Sequence, residues 1–213
     1  MVEDHEVDQA AAGGNRRALV LAAYARIASD GFEGLRTRDV AAAVGVNIGT
    51  LHYYFPSKEA LIRAAVRHMT AKFAATLSSK GSPAEQLRGH LEGLRALLKT
   101  DQELWLVSSE VSLRAARDEA IADMMRQADD QWFAFLRGLV ARGVDQGCLD
   151  GSLQPEGVAA TLIAAIKGLS MPTMGSFRPE RIDETIDQLE RWLGFEPTTA
   201  SEPSEVRSIE GGF

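Results

Sequence analysis

An all-α chain built as two modules is what three features of this sequence predict. Apolar residues recur at helical spacings of three and four from Leu19 to Leu193, and no segment alternates as a strand would. Glycines and prolines cut that pattern into short helices up to Pro56 and longer ones beyond it. The charge divides in the same way. Residues 1–15 carry four acids and no Lys or Arg, and residues 16–80 carry ten Lys/Arg against four acids, a net of +6. Residues 81–213 hold 13 basic and 22 acidic residues, a net of −9 within a total of −7. A basic block joined to an acidic one suits a nucleic-acid-contacting module fused to one that makes no such contact, although chance segregation on a soluble surface gives the same pattern.

The elements follow in order. Residues 1–15 are expected to be a disordered acidic leader that ends at Asn15, an N-cap for the first helix. Leu19, Val20, Ala23, Ile27 and Ala28 make that helix's apolar stripe, and Asp30-Gly31 stops it. Phe32 and Leu35 bridge to a short helix that starts at Thr37, with Asp39 in its first turn and Val40, Ala41 and Val44 facing inward. Gly45 breaks it, Asn47 caps the next helix, and Pro56 stops that one after Phe55. Ser57 caps a longer helix carrying Leu61, Ile62, Ala65, Met69 and Phe73.

Beyond Gly81-Ser82-Pro83 the stripes are Leu87, Leu91, Leu94 and Leu98, then Trp105, Val107, Val111 and Ala115 after Asp101. The strongest runs through Ile121, Met124, Met125, Ala128, Trp132, Phe135, Leu136 and Leu139. After a break at Gly147 to Gly151, Pro155 starts a helix with Val158, Leu162, Ala165, Ile166 and Leu169 on one side and a small flank beside them. Pro172 to Pro179 interrupts, Ile182 to Leu193 form a last stripe, and the tail from Pro197, rich in Ser, Thr, Pro and Glu, is expected to be disordered.

The bulk properties exclude several classes. At 45% hydrophobic and 25% charged residues, the 213-residue chain can bury the core of a soluble protein. Its single Cys148 forbids an internal disulfide and a cysteine-built zinc site. Met1 to Asp8 is acidic and lacks the apolar run of a signal peptide. Val40 to Ser57, the longest stretch free of Asp, Glu, Lys and Arg, contains Asn47, Gly49, His52 and Pro56, which unsuits it as a membrane span. A cytoplasmic protein is expected, with no membrane partner. No phosphate loop, nucleophile elbow or metal spacing occurs. His5, His52, His68 and His90 lie on separate elements, and Asp129-Asp130 reads as a solvated edge, so no enzyme, cofactor or metal is expected.

Residues 37–55 have the proportions of a helix-turn-helix: Ala41 to let two helices pack, Gly45 to turn, and Leu51 and Phe55 to anchor the second helix. Asn47, Ile48, Thr50, His52 and Tyr53 then face outward. Five stretches also carry a family likeness: Ala28 to Phe32, Asp39-Val40-Ala41, Val44-Gly45-Val46, Gly49-Thr50-Leu51 and Tyr54 to Leu61. Across residues 16–75 the sequence resembles the DNA-binding domain of the TetR family of bacterial transcriptional repressors. That resemblance implies an all-α protein with an N-terminal three-helix helix-turn-helix DNA-binding domain (residues 16–62) and a C-terminal helical bundle for ligand binding and dimerisation (63–196), followed by the tail (197–213). It also implies a homodimer that binds a palindromic operator in double-stranded DNA and is released by a small-molecule effector.

Carried over by position, Thr37 and Lys58 are expected to hold phosphates, and Thr50 and Tyr53 to touch backbone or bases. Asn47 stands where the family more often has Ser or Thr, and His52 departs from the usual Tyr. The second helix of the motif contains no Arg or Lys, so bidentate Arg-to-guanine contact is not available from it. Base reading falls to His52, Tyr53, Thr50 and Asn47, with Ile48 against thymine methyls, and Arg36 and Arg38 supply the nearest guanidinium groups. Tyr54 and Phe55 read as core, and Arg63, Arg67 and Lys72 as a solvated face.

In the second module, Met69, Phe73, Trp105, Met124, Met125, Trp132 and Phe135 suit either a hydrophobic effector pocket or an ordinary bundle core. His90, on the apolar face between Leu87 and Leu94, is either a satisfied core histidine or a ligand reader. Ser108, Ser109 and Glu110 interrupt an apolar helix, to orient a polar group or to face solvent. The small flank Gly157, Thr161, Ala164 and Gly168, with Ile182, Ile186, Leu189 and Leu193, is expected to form a four-helix interface between two copies. A module that has lost DNA binding and serves as an interaction scaffold is the competing reading, against which Thr37, Lys58 and the +6 block stand. The effector, the operator and the choice between repression and activation stay open.

Overall fold

The computed structural model describes residues 3–170 and 179–196, and among them the only regular elements are helices. They are α1 (Glu3–Gly34), α2 (Thr37–Val44), α3 (Ile48–Tyr54), α4 (Lys58–Ala74), α5 (Pro83–Thr100), α6 (Gln102–Ala115), α7 (Glu119–Asp145), α8 (Pro155–Leu169) and α9 (Pro179–Trp192). The expected interruption from Pro172 and the tail from Pro197 lie outside the described residues.

Most of the expected boundaries coincide with caps. Asn47 Oδ1 accepts the Thr50 N–H at 2.8 Å, Ser57 Oγ that of Ala60 at 3.1 Å, and Asp101 Oδ1 that of Leu104 at 3.0 Å. Ser82 and Glu85 form a reciprocal capping box ahead of α5, with Pro83 in its first turn. Gly45 ends α2 in the left-handed region at φ 75°. The start of α1 differs from the expectation. Its backbone is already helical from Glu3 and continues through Asn15, which therefore does not cap it. Ala10, Ala11 and Ala12 favour the helix, and the Gly13-Gly14 pair after them does not break it. Regular geometry in α1 ends at Gly31 (φ 67°, ψ −179°), where the sequence placed the stop.

Two apolar cores hold these helices. In the first, Leu19, Ala23 and Ile27 of α1 meet Val40 and Ala41 of α2, Leu51 of α3, and Leu61, Ala65 and Met69 of α4. Leu104, Val107 and Val111 of α6 and Ile121 of α7 belong to it as well. Together with α4, which runs on past residue 62, they make the expected boundary between modules a continuous packed region. Spacings of three and four put those α6 residues on one face, toward α1, while Trp105 turns into the other core. The second core joins α5, α7, α8 and α9. Here one expectation is corrected: Ile182, Ile186, Leu189 and Leu193 are buried within the chain, because the α9 stripe packs on α5 and α8. Lys72 is no free surface group either, since it pairs with Asp101 and lies 4.6 Å over the Tyr24 ring.

A buried charge cluster ties α9 to α5. Arg95 donates to Asp183 (3.3 Å), Asp187 (2.7 Å) and Glu190 (2.9 Å), and Lys99 adds a bond to Asp183 at 2.8 Å. Glu190 is fully buried, so its carboxylate depends on this partner. Arg95→Ala should destabilise the fold by about 3–5 kcal/mol, the cost of leaving a buried charge uncompensated, as read from urea unfolding. A loss below about 1 kcal/mol would contradict this role.

Candidate nucleic-acid interface

Helix α2 starts without a side-chain cap. Arg36 occupies the cap position in extended conformation; its carbonyl accepts the Asp39 and Val40 N–H groups, but its side chain accepts none, which leaves the Thr37 and Arg38 N–H end of the helix dipole open to an anion. Leu35, Arg36, Thr37, Arg38, Asp39 and Lys58 line one surface depression at this point. The fold thus brings together Thr37 and Lys58, expected to hold phosphates, and Arg36 and Arg38, expected to supply the nearest guanidinium groups. Lys58 is anchored there, its Nζ donating to the Phe32 carbonyl at 3.2 Å.

Beside the depression, α3 is clamped from behind by Leu51 and Phe55, both buried as expected, while Tyr54 is half-buried. Its outer face presents Ile48, His52 and Tyr53, the last 81% exposed and edge-on to Tyr54. Asn47 and Thr50 are on the same face but are less free than the sequence suggests. Asn47 Oδ1 accepts from both the backbone N–H and, at 3.2 Å, the hydroxyl of Thr50. A bidentate asparagine–adenine contact needs that oxygen, so with the cap in place only the Asn47 amide N–H groups remain to donate. Arg16 was not singled out in the sequence. Its guanidinium lies 5.2 Å over the ring of Phe55, putting a cation at the end of α3; membership of the basic block was the available signal.

The residues expected around an effector separate. Phe73 packs against both cores, and its ring is 6.3 Å from that of Trp132, which in turn meets His90 edge-on. Met69 and Met125 belong to the first core; Trp105 and Phe135 belong to the second. The polar atoms of two candidates are turned to backbone: Trp105 Nε1 donates to Leu98 O at 2.9 Å and Ser109 Oγ to Trp105 O at 3.0 Å. His90 is buried, and both its ring nitrogens have hydrogen-bond partners. Trp132 Nε1 donates to its Nε2 at 3.0 Å, which places the ring proton on Nδ1, 2.8 Å from Thr76 Oγ1. The Thr76 hydroxyl in turn donates a hydrogen bond to Phe73 O at 2.7 Å, so the chain of hydrogen bonds is complete with a neutral ring. Of the expected dimer surface, Gly157, Thr161 and Ala164 are exposed and Gly168 is half-exposed, with Trp192 of α9 a further exposed apolar group.

Residues 19–65 match the family described as bacterial regulatory proteins of the tetR family, and residues 83–194 match the C-terminal domain of BetI-type transcriptional repressors. The chain belongs to the TetR family. Members of that family are described as bacterial regulatory proteins. The HTH-type transcriptional regulator RutR of Escherichia coli K12 is 27% identical over 139 residues, which is 62% of this chain and 65% of RutR, just under two thirds of that relative's length. A TetR-family regulator from Rhodococcus sp. superposes with a TM-score of 0.70 at 25% identity, covering 84% of this chain and 98% of its own. AibR, solved with isovaleryl coenzyme A and operator DNA, shares the fold at a TM-score of 0.62 and 20% identity, over 82% of this chain and 97% of its own. The TetR fold accounts for both cores and for the helix-turn-helix on the outer side of the first. No helix among the described residues is long and apolar enough to cross a membrane.

Burial pushes the His90 pKa from 6.5 down to about 4. Unfolded chains take up that proton below about 6.5, whereas the folded protein resists until about 4, so this group's stabilisation is present at neutral pH and is lost as pH falls through that window. The loss should reach about 3 kcal/mol. In unfolding titrations, His90→Gln should remove this component and flatten the pH dependence between 6.5 and 4.5. Parallel curves for variant and wild type would refute it.

Proposed function

We propose that this TetR-family regulator is a cytoplasmic homodimeric repressor, binding a palindromic operator and leaving it when a small molecule occupies the C-terminal module. The observation that carries the DNA-binding assignment is the gathering of Arg36, Thr37, Arg38 and Lys58 around the open end of α2, beside an α3 that exposes Ile48, His52 and Tyr53. In this reading the flanking cations and the Thr37 end of α2 hold phosphates, and Tyr53, His52 and Ile48 meet the bases. Thr50 and the Asn47 amide group add contacts at the rim. One copy presents one such helix, and a palindrome needs two, about one turn of DNA apart.

The dimer forms in this proposal through the small flank of α8, where Gly157, Thr161 and Ala164 leave room for a second helix, with Trp192 at its margin. The effector enters near Phe73 and Trp132, where the two cores adjoin. AibR, a fold relative whose structure holds both an acyl coenzyme A and operator DNA, supports the pairing of the two functions.

Selection of bound duplexes from a random pool tests the proposal, and an enriched palindrome is the expected result. Sequence-blind retention alone would overturn it in favour of an interaction scaffold. Against the enriched duplex, Tyr53→Ala should reduce specific affinity by roughly tenfold. Lys58→Ala should weaken binding to all sequences alike and lower the salt slope by about one. Ala164→Glu should shift sedimentation from dimer to monomer while leaving helix content nearly unchanged, because the position is exposed in the single chain. A persistent dimer would exclude this face.

A further inference from the structure

Phe32 is held at three points by two helices. Its N–H donates to Glu110 Oε2 of α6 at 3.4 Å, and its carbonyl accepts from Lys58 Nζ of α4 at 3.2 Å. Its ring is buried under the Arg114 guanidinium, 5.9 Å away and one turn beyond Glu110 on α6. Arg114 is itself fixed by Asp118 at 3.1 Å. The preceding Gly31 makes this approach possible for two separate reasons. Its backbone (φ 67°, ψ −179°) is in a region almost confined to glycine, and a Cβ there would stand 3.1 Å from Glu110 Oε2.

We propose that Glu110 is a positioning residue for DNA binding: through Phe32 it holds the Lys58 ammonium at the phosphate-facing depression. This rests on the assignment of Lys58 to a phosphate made above. A lysine head on a flexible stem loses rotamer freedom when it settles on a phosphate. With one N–H already on the Phe32 carbonyl, two donors remain for the phosphate and less freedom is left to lose. The carbonyl can perform that task only if the turn at Gly31-Phe32 is itself fixed, and Glu110 fixes it from α6. The sign of the effect is distinctive. Removing an acid from a DNA-binding protein by itself raises affinity for a polyanion. Removing this one should lower it.

The test measures fluorescence anisotropy at several salt concentrations, using the enriched duplex and a random-sequence duplex. Glu110→Ala should weaken binding to both by roughly fivefold, the scale of one hydrogen bond, with an unchanged salt slope. Glu110→Gln keeps a carbonyl acceptor for the Phe32 N–H and should bind as the wild type does. Lys58→Ala alone should lower both affinity and slope, and adding Glu110→Ala to it should cost nothing more. Circular dichroism checks folding, and Glu110→Met, which keeps the volume without the acceptor, takes the place of Glu110→Ala if that variant is unfolded. Unchanged or tighter binding in the Glu110 variant, or a loss that adds to that of Lys58→Ala, would overturn the proposal and leave the phosphate assignment standing. Lys58→Ala with wild-type affinity and slope would instead overturn that assignment, and the proposal with it.

Discussion

Helix α1 carries an apolar stripe that several helices must cover together, and the rest of the molecule is arranged around that constraint. Leu19, Val20, Ala23, Tyr24 and Ile27 are all buried, a stripe too broad for one neighbouring helix to cover. It is shared, with α2, α3 and α4 on one side and α6 on the other. Burying each large side chain contributes roughly 1.5–3 kcal/mol, so neither the helix-turn-helix nor α6 can leave α1 without exposing a substantial part of the first core. The helix-turn-helix and α6 are therefore packed through α1 into one continuous core.

In the proposed DNA complex, affinity and sequence reading fall to different groups. Cations surround α3 and none lies on it: Arg16 stacks on Phe55, Arg36 and Arg38 stand at the start of α2, and Lys58 begins α4. In that complex, long-range attraction to a polyanion would come from this rim. The exposed face of α3 offers an aliphatic group, an imidazole and a phenol, a set that reads shape and apolar contact more than the guanine edge. The Asn47 cap sharpens the division, since the oxygen that stabilises α3 is withdrawn from recognition.

The C-terminal module solves a different problem, the placing of polar groups inside an apolar bundle. His90 is kept neutral by burial and by an unbroken chain of hydrogen bonds from Trp132 to the Phe73 carbonyl, which links α4, α5 and α7. Arg95 gathers three acids of α9. Both arrangements are directional, and so they set the register of helices that apolar packing alone would let slide.

Much of this was legible in the chain because it is local. The caps at Asn47, Ser57 and Asp101, the turn at Gly45 and the inward positions of each stripe follow from hydrogen bonding and periodicity within a few residues. The family likeness over residues 16–75 likewise rests on contiguous motifs. The tertiary structure decided whatever depends on which partner a face meets. The apolar α9 stripe reads the same whether its partner is α5 of its own chain or a second copy, and only the fold assigns it to the former. Lys72 looks like a solvent charge until α1 and Asp101 are brought beside it. Glu110 looks like an interruption of an apolar helix until the turn at Gly31, 79 residues earlier in the chain, arrives against its carboxylate. Sequence periodicity records that a side chain is apolar or polar and which way it faces; the identity of its partner is a property of distant residues brought together by folding.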